Sequence, residues 1–104
     1  MEKIIILFGF LFVFQSISAM YPPCDDCGCS GNGCKLPGDP TPYEWPELMG
    51  VEIMKAKAAV ESSNPNVTAV PLDSDCIHIF NLCCNRVWLC PDEKGLIREK
   101  PVVG

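Results

Sequence analysis

The sequence predicts an α+β domain in which one short helix and two strands are joined by a long loop and preceded by a cysteine-rich arm. Three observations support this fold class. One stretch has helical spacing of apolar residues, one short stretch is β-branched and apolar while another shows strand alternation, and the 104 residues include eight cysteines. A small domain buries little surface relative to the entropy it loses on folding, so cysteines in this number predict covalent cross-links.

The N-terminus has the pattern of a secretory signal peptide. Residues 1–3 carry a lysine, residues 4–14 are apolar, and the small residues Ser16, Ser18 and Ala19 follow. The apolar run is too short to cross a bilayer, which needs about 20 such residues. We predict a signal peptide over residues 1–19, cut after Ser18 or Ala19. The mature protein is then secreted, extracellular or vacuolar, without a membrane partner.

Residues 20–42 are predicted to form an irregular arm, because proline, glycine, aspartate and cysteine dominate and no periodicity can be read there. An even number of cysteines in an oxidising compartment predicts four disulfides, although eight cysteines allow 105 pairings. The arm cysteines would also suit zinc or another soft metal. The oxidising compartment favours disulfides instead, so we predict neither a metal nor another cofactor. The cysteines concerned are Cys24, Cys27, Cys29, Cys34, Cys76, Cys83, Cys84 and Cys90.

The helix is predicted over residues 51–63, where apolar side chains such as Ala56 and Val60 recur at spacings of three and four. Pro65 ends it, because proline disfavours helical geometry in the residue before it. Glu52 is a weak residue for the N-cap position, which predicts a frayed start.

Two strands are predicted after the helix, over residues 67–72 and 86–90. In the second, Val87 and Leu89 alternate with other residues, so both should face the helix. Residues 73–85 lie between the strands. This segment is too long for a tight hairpin and has no helical pattern, and long ordered loops in small domains are usually functional.

Composition excludes several classes of function. The chain carries 13 acidic and eight basic residues, which argues against nucleic acid or an anionic membrane as a partner. The single histidine, His78, lies in the middle of the loop and is predicted to be an exposed side chain, so the chain is not expected to be an enzyme. Asn66 begins a glycosylation sequon, and an unused sequon is the alternative.

The loop contains an apolar peptide, residues 77–82, between Cys76 and Cys83. Cys83 and Cys84 are adjacent, and adjacent cysteines on an extended chain point to opposite sides, so each needs its own partner. Such a tethered peptide would make a rigid bait for a binding partner. The alternative is a cross-linked connector on which an exposed Phe80 is incidental.

Several sequence blocks together resemble the potato inhibitor I family of serine protease inhibitors, over residues 43–104. The blocks are Glu44-Trp45-Pro46-Glu47-Leu48-Met49-Gly50, Ala56-Lys57, Asn64-Pro65-Asn66-Val67, Asn85-Arg86-Val87-Trp88-Leu89 and Pro101-Val102-Val103-Gly104. The resemblance implies one helix packed on a small mixed sheet, with an exposed protease-binding loop between two parallel strands. The cysteine-rich arm is longer than the usual N-terminus of the family.

The resemblance places the reactive bond between Phe80 and Asn81, in a loop that acts by the standard mechanism of substrate-like inhibitors. An apolar residue at this position implies chymotrypsin-like or subtilisin-like serine proteases as partners. The other binding-loop residues that the resemblance assigns are Ile77, His78, Ile79 and Leu82.

The family pattern also assigns loop support. Arg86 matches the first of two arginines that brace the loop in many members, whereas Trp88 occupies the second position. Many members carry Thr and an acidic residue beside the bait residue, but here these are Ile79 and Asn81. These departures favour an alternative function, a non-inhibitory cysteine-rich defence or binding protein on the same scaffold.

The resemblance further suggests that disulfides took over part of this support. Cys84 matches a position at which some relatives are bonded to an N-terminal cysteine, so we predict a bond from Cys84 to the arm. Two further pairings are predicted, Cys76 with Cys83 and Cys90 with a second arm cysteine.

Overall fold

The computed structural model describes residues 22–104, so the predicted signal peptide lies outside the described residues. One α-helix, α1 (Ile53–Ser63), is followed by two strands, β1 (Thr68–Pro71) and β2 (Arg86–Leu89). Two short 3-10 turns precede them, at Gly31–Cys34 and Pro46–Leu48. Within this part of the chain, no helix is both long enough and apolar enough to cross a membrane.

Helix α1 begins two residues later than predicted, but its start is capped rather than frayed. The Glu52 side chain accepts a hydrogen bond from the backbone N–H of Lys55, at 2.9 Å. A carboxylate at this position satisfies one of the free N–H groups of the first turn and is favoured by the helix dipole. The expectation of a frayed start is therefore wrong. At the other end, Asn64 leaves helical geometry just before Pro65, as predicted.

The two strands pair in parallel, with Ala69 beside Val87 in the register. Val87 also forms a single antiparallel bridge to Val103, which makes the small sheet mixed, as the resemblance implied. Parallel strands cannot be joined by a tight turn, so the connection must return along the length of the sheet. Here the exposed loop makes that connection.

The core lies between α1 and the sheet. Ala56 and Val60 on the helix face Ala69, Val87 and Leu89 on the strands, and all five residues are fully buried. The alternation predicted for the second strand is confirmed, because Val87 and Leu89 are buried while their neighbours in β2 are partly exposed. Burying a valine or leucine side chain, as at Val60, Val87 and Leu89, contributes about 1.5–3 kcal/mol.

Buried Asn64 fastens the end of α1 to the segments beside it. Its side-chain amide donates a hydrogen bond to the Pro42 carbonyl at 3.0 Å, and its side-chain oxygen accepts one from the Asn66 N–H at 3.1 Å. Both polar atoms of this side chain are thus satisfied away from water, as buried polar groups require.

The outer edge of β1 is covered by an ion pair on the helix. Lys57 and Glu61 are paired at 2.6 Å, and each also bonds the backbone of Ala69. Lys57 donates to the Ala69 carbonyl at 2.8 Å, and Glu61 accepts from the Ala69 N–H at 3.0 Å. Strand edges with unpaired backbone groups invite unwanted pairing, and these two side chains occupy them.

Three disulfides are formed, which is one fewer than predicted. They are Cys24–Cys83, Cys29–Cys34 and Cys76–Cys90. Cys27 and Cys84 carry thiols. The predicted bond from Cys84 to the arm is absent, and it is the neighbouring Cys83 that ties the arm to the domain.

The predicted pairings of Cys76 with Cys83 and of Cys90 with the arm are also wrong, and the sheet topology explains why. The carboxyl ends of parallel strands lie at the same edge of the sheet. Cys76 follows β1 and Cys90 follows β2, so both lie at that edge, with their Cα atoms 5.4 Å apart. Cys83 precedes β2 and lies at the opposite end, where the arm is.

Candidate functional site

The loop between the strands displays its apolar side chains to solvent. Phe80 is 98% exposed and Ile77 is 77% exposed, and Ile79 and Leu82 are also exposed. Exposed apolar side chains that are contiguous in one loop usually mark an interaction surface. The predicted binding-loop residues are thus brought together, and Phe80 contributes nothing to the core.

Both ends of the peptide 77–82 are anchored covalently, to different parts of the molecule. Cys76 is bonded to Cys90 beyond the end of β2, and Cys83 is bonded to Cys24 in the arm. Cys76 also has a positive φ of 56°, a left-handed conformation that residues other than glycine seldom adopt. The peptide therefore spans two fixed points instead of forming a closed ring.

Arg86, the first residue of β2, reaches up to the loop. Its guanidinium donates to the Asn81 side-chain oxygen at 3.0 Å and to the Asn81 carbonyl at 2.6 Å. The Nε atom donates to the Gly104 carbonyl at 2.9 Å. Partial burial lowers the pKa of Arg86, although an arginine remains charged in proteins. The side chain thus links the loop to the C-terminal segment.

Trp88 lies two residues after Arg86 in β2, and its ring stacks against the loop on the N-terminal side of Phe80. The Arg86 guanidinium lies 4.2 Å from the centre of the Trp88 ring, a cation–π contact. On the loop side, the His78 ring stacks on Trp88 with centroids 4.9 Å apart and an angle of 25°. His78 in turn lies 5.6 Å from the Phe80 ring.

His78 is therefore not the freely exposed side chain that the sequence predicted. It is partly buried, and its Nδ1 atom lies 2.9 Å from the Ile79 carbonyl oxygen. No local pattern announces the stack, because His78 and Trp88 lie on separate elements and meet only when the loop folds back over β2.

Below the loop lies a cleft of about 320 Å³, lined by residues that include Leu72, Phe80, Trp88 and Val102. The loop therefore does not rest on a packed core. The loop is tied by its two disulfides and is contacted from β2 by the side chains of Arg86 and Trp88.

The arm runs beside the point at which the loop returns to the sheet. Asp26 forms an antiparallel bridge with Cys83, and the Cys84 N–H donates to the Asp25 carbonyl at 2.9 Å. The Asn85 side chain donates to the Pro23 carbonyl at 2.8 Å. The arm was predicted to be irregular, but this short segment of it pairs with the chain that leaves the loop.

Two further candidate features are the arm cysteines as metal ligands and Asn66 as a glycosylation site. Three arm sulfurs, those of Cys27, Cys29 and Cys34, lie within 4.8 Å of one another, yet two of them are bonded to each other and are not available as thiolates. Asn66 is exposed in the turn after α1, so its glycosylation is sterically possible and stays a prediction.

The sequence profile of the Potato inhibitor I family matches residues 37–104, and the chain belongs to this family. The match confirms the resemblance seen in the sequence. It begins after the last arm cysteine, so the four arm cysteines lie outside the family match.

Three curated relatives carry inhibitor names. The chain is 38% identical over 65 residues to "Inhibitor of trypsin and hageman factor" from Cucurbita maxima, covering 62% of this chain and 96% of that protein. It is 36% identical to "Trypsin/subtilisin inhibitor" from Amaranthus caudatus, covering 62% and 93%. It is also 38% identical to "Wound-induced proteinase inhibitor 1" from Solanum lycopersicum, covering 57% and 54%.

The structural comparison agrees with the sequence comparison. The crystal structure of bitter gourd trypsin inhibitor superposes with a TM-score of 0.59 at 31% identity, covering 62% of this chain and 94% of that one. The predicted fold class is thus confirmed. Because the family and these relatives are protease inhibitors, the expectation that the chain is not an enzyme is confirmed as well, and protease inhibition is the function that the comparisons support.

Proposed function

We propose that this chain inhibits serine endopeptidases by the standard mechanism, with Phe80–Asn81 as the reactive bond. The observation that carries the proposal is the position of Phe80, which is 98% exposed in a loop anchored by a disulfide on each side. A loop held in this way loses little conformational entropy on docking, so a modest interface can bind tightly.

The proposed reaction begins when the protease serine attacks the Phe80 carbonyl and the oxyanion is stabilised by the enzyme. The leaving group is the amine of Asn81. Arg86 holds Asn81 through both its side-chain oxygen and its carbonyl, so the new amine stays beside the acyl-enzyme. A leaving group held in place favours re-formation of the peptide bond over hydrolysis.

In this proposal Trp88 supports the acyl side of the reactive bond, where Arg86 does not reach. Its ring stacks on His78, two residues before Phe80, while its own position is stabilised by the Arg86 guanidinium. An aromatic stack contributes about 0.5–1.5 kcal/mol beyond simple burial. Arg86 thus supports the Asn81 side of the reactive bond, and Trp88 supports the Phe80 side.

The nature of Phe80 favours chymotrypsin-like and subtilisin-like proteases, whose primary pockets accept large apolar side chains. The Amaranthus relative is named for inhibition of both trypsin and subtilisin, so the scaffold is compatible with more than one protease class. We propose that the bait residue, rather than the scaffold, selects the target.

We further propose that the mature protein is secreted, outside the cell or into a vacuole, and that it serves in defence or the wound response. Disulfides in the structure suit an oxidising compartment. The name of the Solanum relative supports a wound-related role.

The alternative is a non-inhibitory defence or binding protein on the same scaffold. Two features favour it, since the acceptor beside the bait is the neutral Asn81 and a second bracing arginine is replaced by Trp88. A neutral acceptor makes a weaker hydrogen bond to arginine than a carboxylate does.

Titrating chymotrypsin, subtilisin and trypsin with the oxidised protein separates the two functions. The proposal expects stoichiometric loss of chymotrypsin or subtilisin activity, slow cleavage at Phe80–Asn81 alone, and a cleaved form that still inhibits. Unchanged activity of all three proteases, or rapid cleavage at many bonds, would favour the alternative.

A further inference from the structure

Cleavage of the proposed reactive bond would divide the chain into an acyl fragment that ends at Phe80 and an amine fragment that begins at Asn81. Two disulfides, Cys24–Cys83 and Cys76–Cys90, each join one fragment to the other. The third, Cys29–Cys34, lies wholly within the acyl fragment. A protein cut at this bond therefore remains one covalent molecule.

Of the two crossing disulfides, Cys76–Cys90 reaches the acyl fragment close to its new end. Phe80 is the fourth residue after Cys76. The backbone of this fragment is last bonded to the sheet at Leu72, whose N–H donates to the Leu89 carbonyl at 2.9 Å, and Phe80 is the eighth residue after Leu72. The disulfide thus halves the length of chain between a fixed residue and the reactive bond.

The other end of this disulfide is held firmly by the domain. Cys90 is buried and directly follows the core residue Leu89. Its carbonyl accepts a hydrogen bond from the Arg98 N–H at 3.0 Å, and its sulfur accepts one from Arg98 Nε at 3.2 Å. Cys76 is therefore tied to a packed part of the molecule.

We propose that Cys76 and Cys90 are positioning residues that hold the acyl fragment after cleavage, so that its Phe80 carbonyl stays beside the Asn81 amine. This inference rests on the proposed function, in which Arg86 holds the amine. In the return reaction the Asn81 nitrogen attacks the Phe80 carbonyl of the acyl-enzyme and forms the C–N bond. The serine oxygen of the protease leaves and recovers a proton from the protease histidine, which accepts one from the attacking amine. The disulfide stays intact throughout.

The size of the effect follows from the length of the free segment. With the disulfide, the segment that must return to Asn81 runs from Cys76 to Phe80. Without it, the segment begins at Leu72 and is twice as long. Each doubling of a flexible segment lowers the equilibrium constant for bringing its ends together about threefold. Loss of the disulfide should therefore raise the equilibrium ratio of cleaved to intact protein about threefold.

The backbone turn at Cys76 offers a second explanation, which the choice of variants separates from the first. Cys76 has a φ of 56°, in the left-handed region that glycine adopts readily. Cys76→Gly/Cys90→Ala keeps the turn and removes the tether, whereas Cys76→Ala/Cys90→Ala opposes the turn as well. If the tether holds the fragment, the glycine variant should also show the raised ratio. A glycine variant with the parent's ratio would assign the effect to the turn and overturn the proposal.

The ratio is measured by incubating each protein with a catalytic amount of chymotrypsin, starting once from the intact form and once from the cleaved form, until both reach the same composition. The matched control is Cys29→Ser/Cys34→Ser, which removes a disulfide that does not cross the reactive bond and should keep the parent's ratio. A parent that does not inhibit overturns the proposed function, and the tether with it. A parent that inhibits, with a crossing variant that keeps its ratio, overturns the tether alone.

A second measurement needs no variant and so does not depend on the folding of one. In the isolated cleaved form of the parent, NMR relaxation of the backbone nitrogens should show added motion in residues 77–80 and none in residues 73–75, because Cys76 is fixed between them. Equal added motion on both sides of Cys76 would refute the tether.

Discussion

Replacing Phe80 with alanine removes the side chain that we propose enters the primary pocket of the protease. Because this side chain is 98% exposed, it supports no core. Surface substitutions of this kind change the free energy of unfolding by less than about 0.5 kcal/mol. The variant should therefore fold as the parent does, and any change in inhibition can be assigned to the interface.

The size of the effect follows from the same exposure. Moving a phenylalanine side chain from water into an enclosing pocket contributes about 1.5–3 kcal/mol. The free protein starts from nearly complete exposure, so the upper end applies. Each 1.4 kcal/mol corresponds to a tenfold change in affinity, and a loss of about 3 kcal/mol weakens inhibition about 100-fold.

The assay is the inhibition constant against chymotrypsin, with the midpoint of denaturant unfolding measured in parallel. Leu36→Ala is a matched control, because Leu36 is an apolar side chain of the arm that is 72% exposed. Phe80→Lys should in addition gain inhibition of trypsin, because the carboxylate in the primary pocket of trypsin binds a lysine side chain. If both Phe80 variants inhibit chymotrypsin as strongly as the parent, the reactive bond lies elsewhere.

Three other changes test the support of the loop and the body of the domain. Arg86→Ala should raise the rate of cleavage by chymotrypsin, because two hydrogen bonds to Asn81 are lost at about 1 kcal/mol each. Lys55→Ala, on the exposed side of the helix, is the control and should leave the rate of cleavage unchanged. Asn64→Ala should lower the free energy of unfolding by about 1–3 kcal/mol, because two hydrogen bonds of a buried side chain are lost, and an unchanged denaturation midpoint would contradict this. Hydrogen bonds, first from the Thr41 side chain and then from Tyr43, lower the pKa of Asp39 to about 2, below the value near 3.9 of an unfolded chain. The ionised Asp39 therefore stabilises the fold above about pH 4, and this contribution is lost as the pH falls towards 2. Asp39→Asn should reduce the pH dependence of the thermal unfolding midpoint. If the parent and the variant show the same pH dependence, Asp39 does not contribute to it.

Local patterns were sufficient to locate the helix, the strands and several of the buried positions on them. The spacing of Ala56 and Val60 predicted the buried face of α1, and alternation predicted that Val87 and Leu89 are buried in β2. These features follow from the periods of helices and strands, which are properties of neighbouring residues. The cap at Glu52 was missed because intrinsic preference is a weak guide when a side chain happens to reach the free N–H of the first turn.

Contacts between distant segments were not readable in the same way. The partner of Cys83 is 59 residues away in the arm, and that of Cys76 lies beyond the second strand. His78 was expected to be exposed because nothing near it in the sequence announces the Trp88 ring. Among the site residues, the family resemblance supplied Phe80, Asn81 and Arg86 and led us to expect the contact from Arg86 to Asn81, whereas the bond to the Asn81 main-chain carbonyl and the stack on Trp88 required the folded loop.

The sequence by itself determined which residues form the helix and strands, which of them are buried, and that an apolar peptide lies between two cysteines in a long loop. Those properties depend on local periodicity and composition. The tertiary structure alone decided how the cysteines pair and that His78 stacks on the Trp88 ring. Parallel pairing of β1 and β2 brings Cys76 and Cys90 to one edge of the sheet and leaves Cys83 at the other, beside the arm. The packing of the whole chain sets which strand ends lie together and which lies beside the arm, and no local sequence pattern encodes this arrangement.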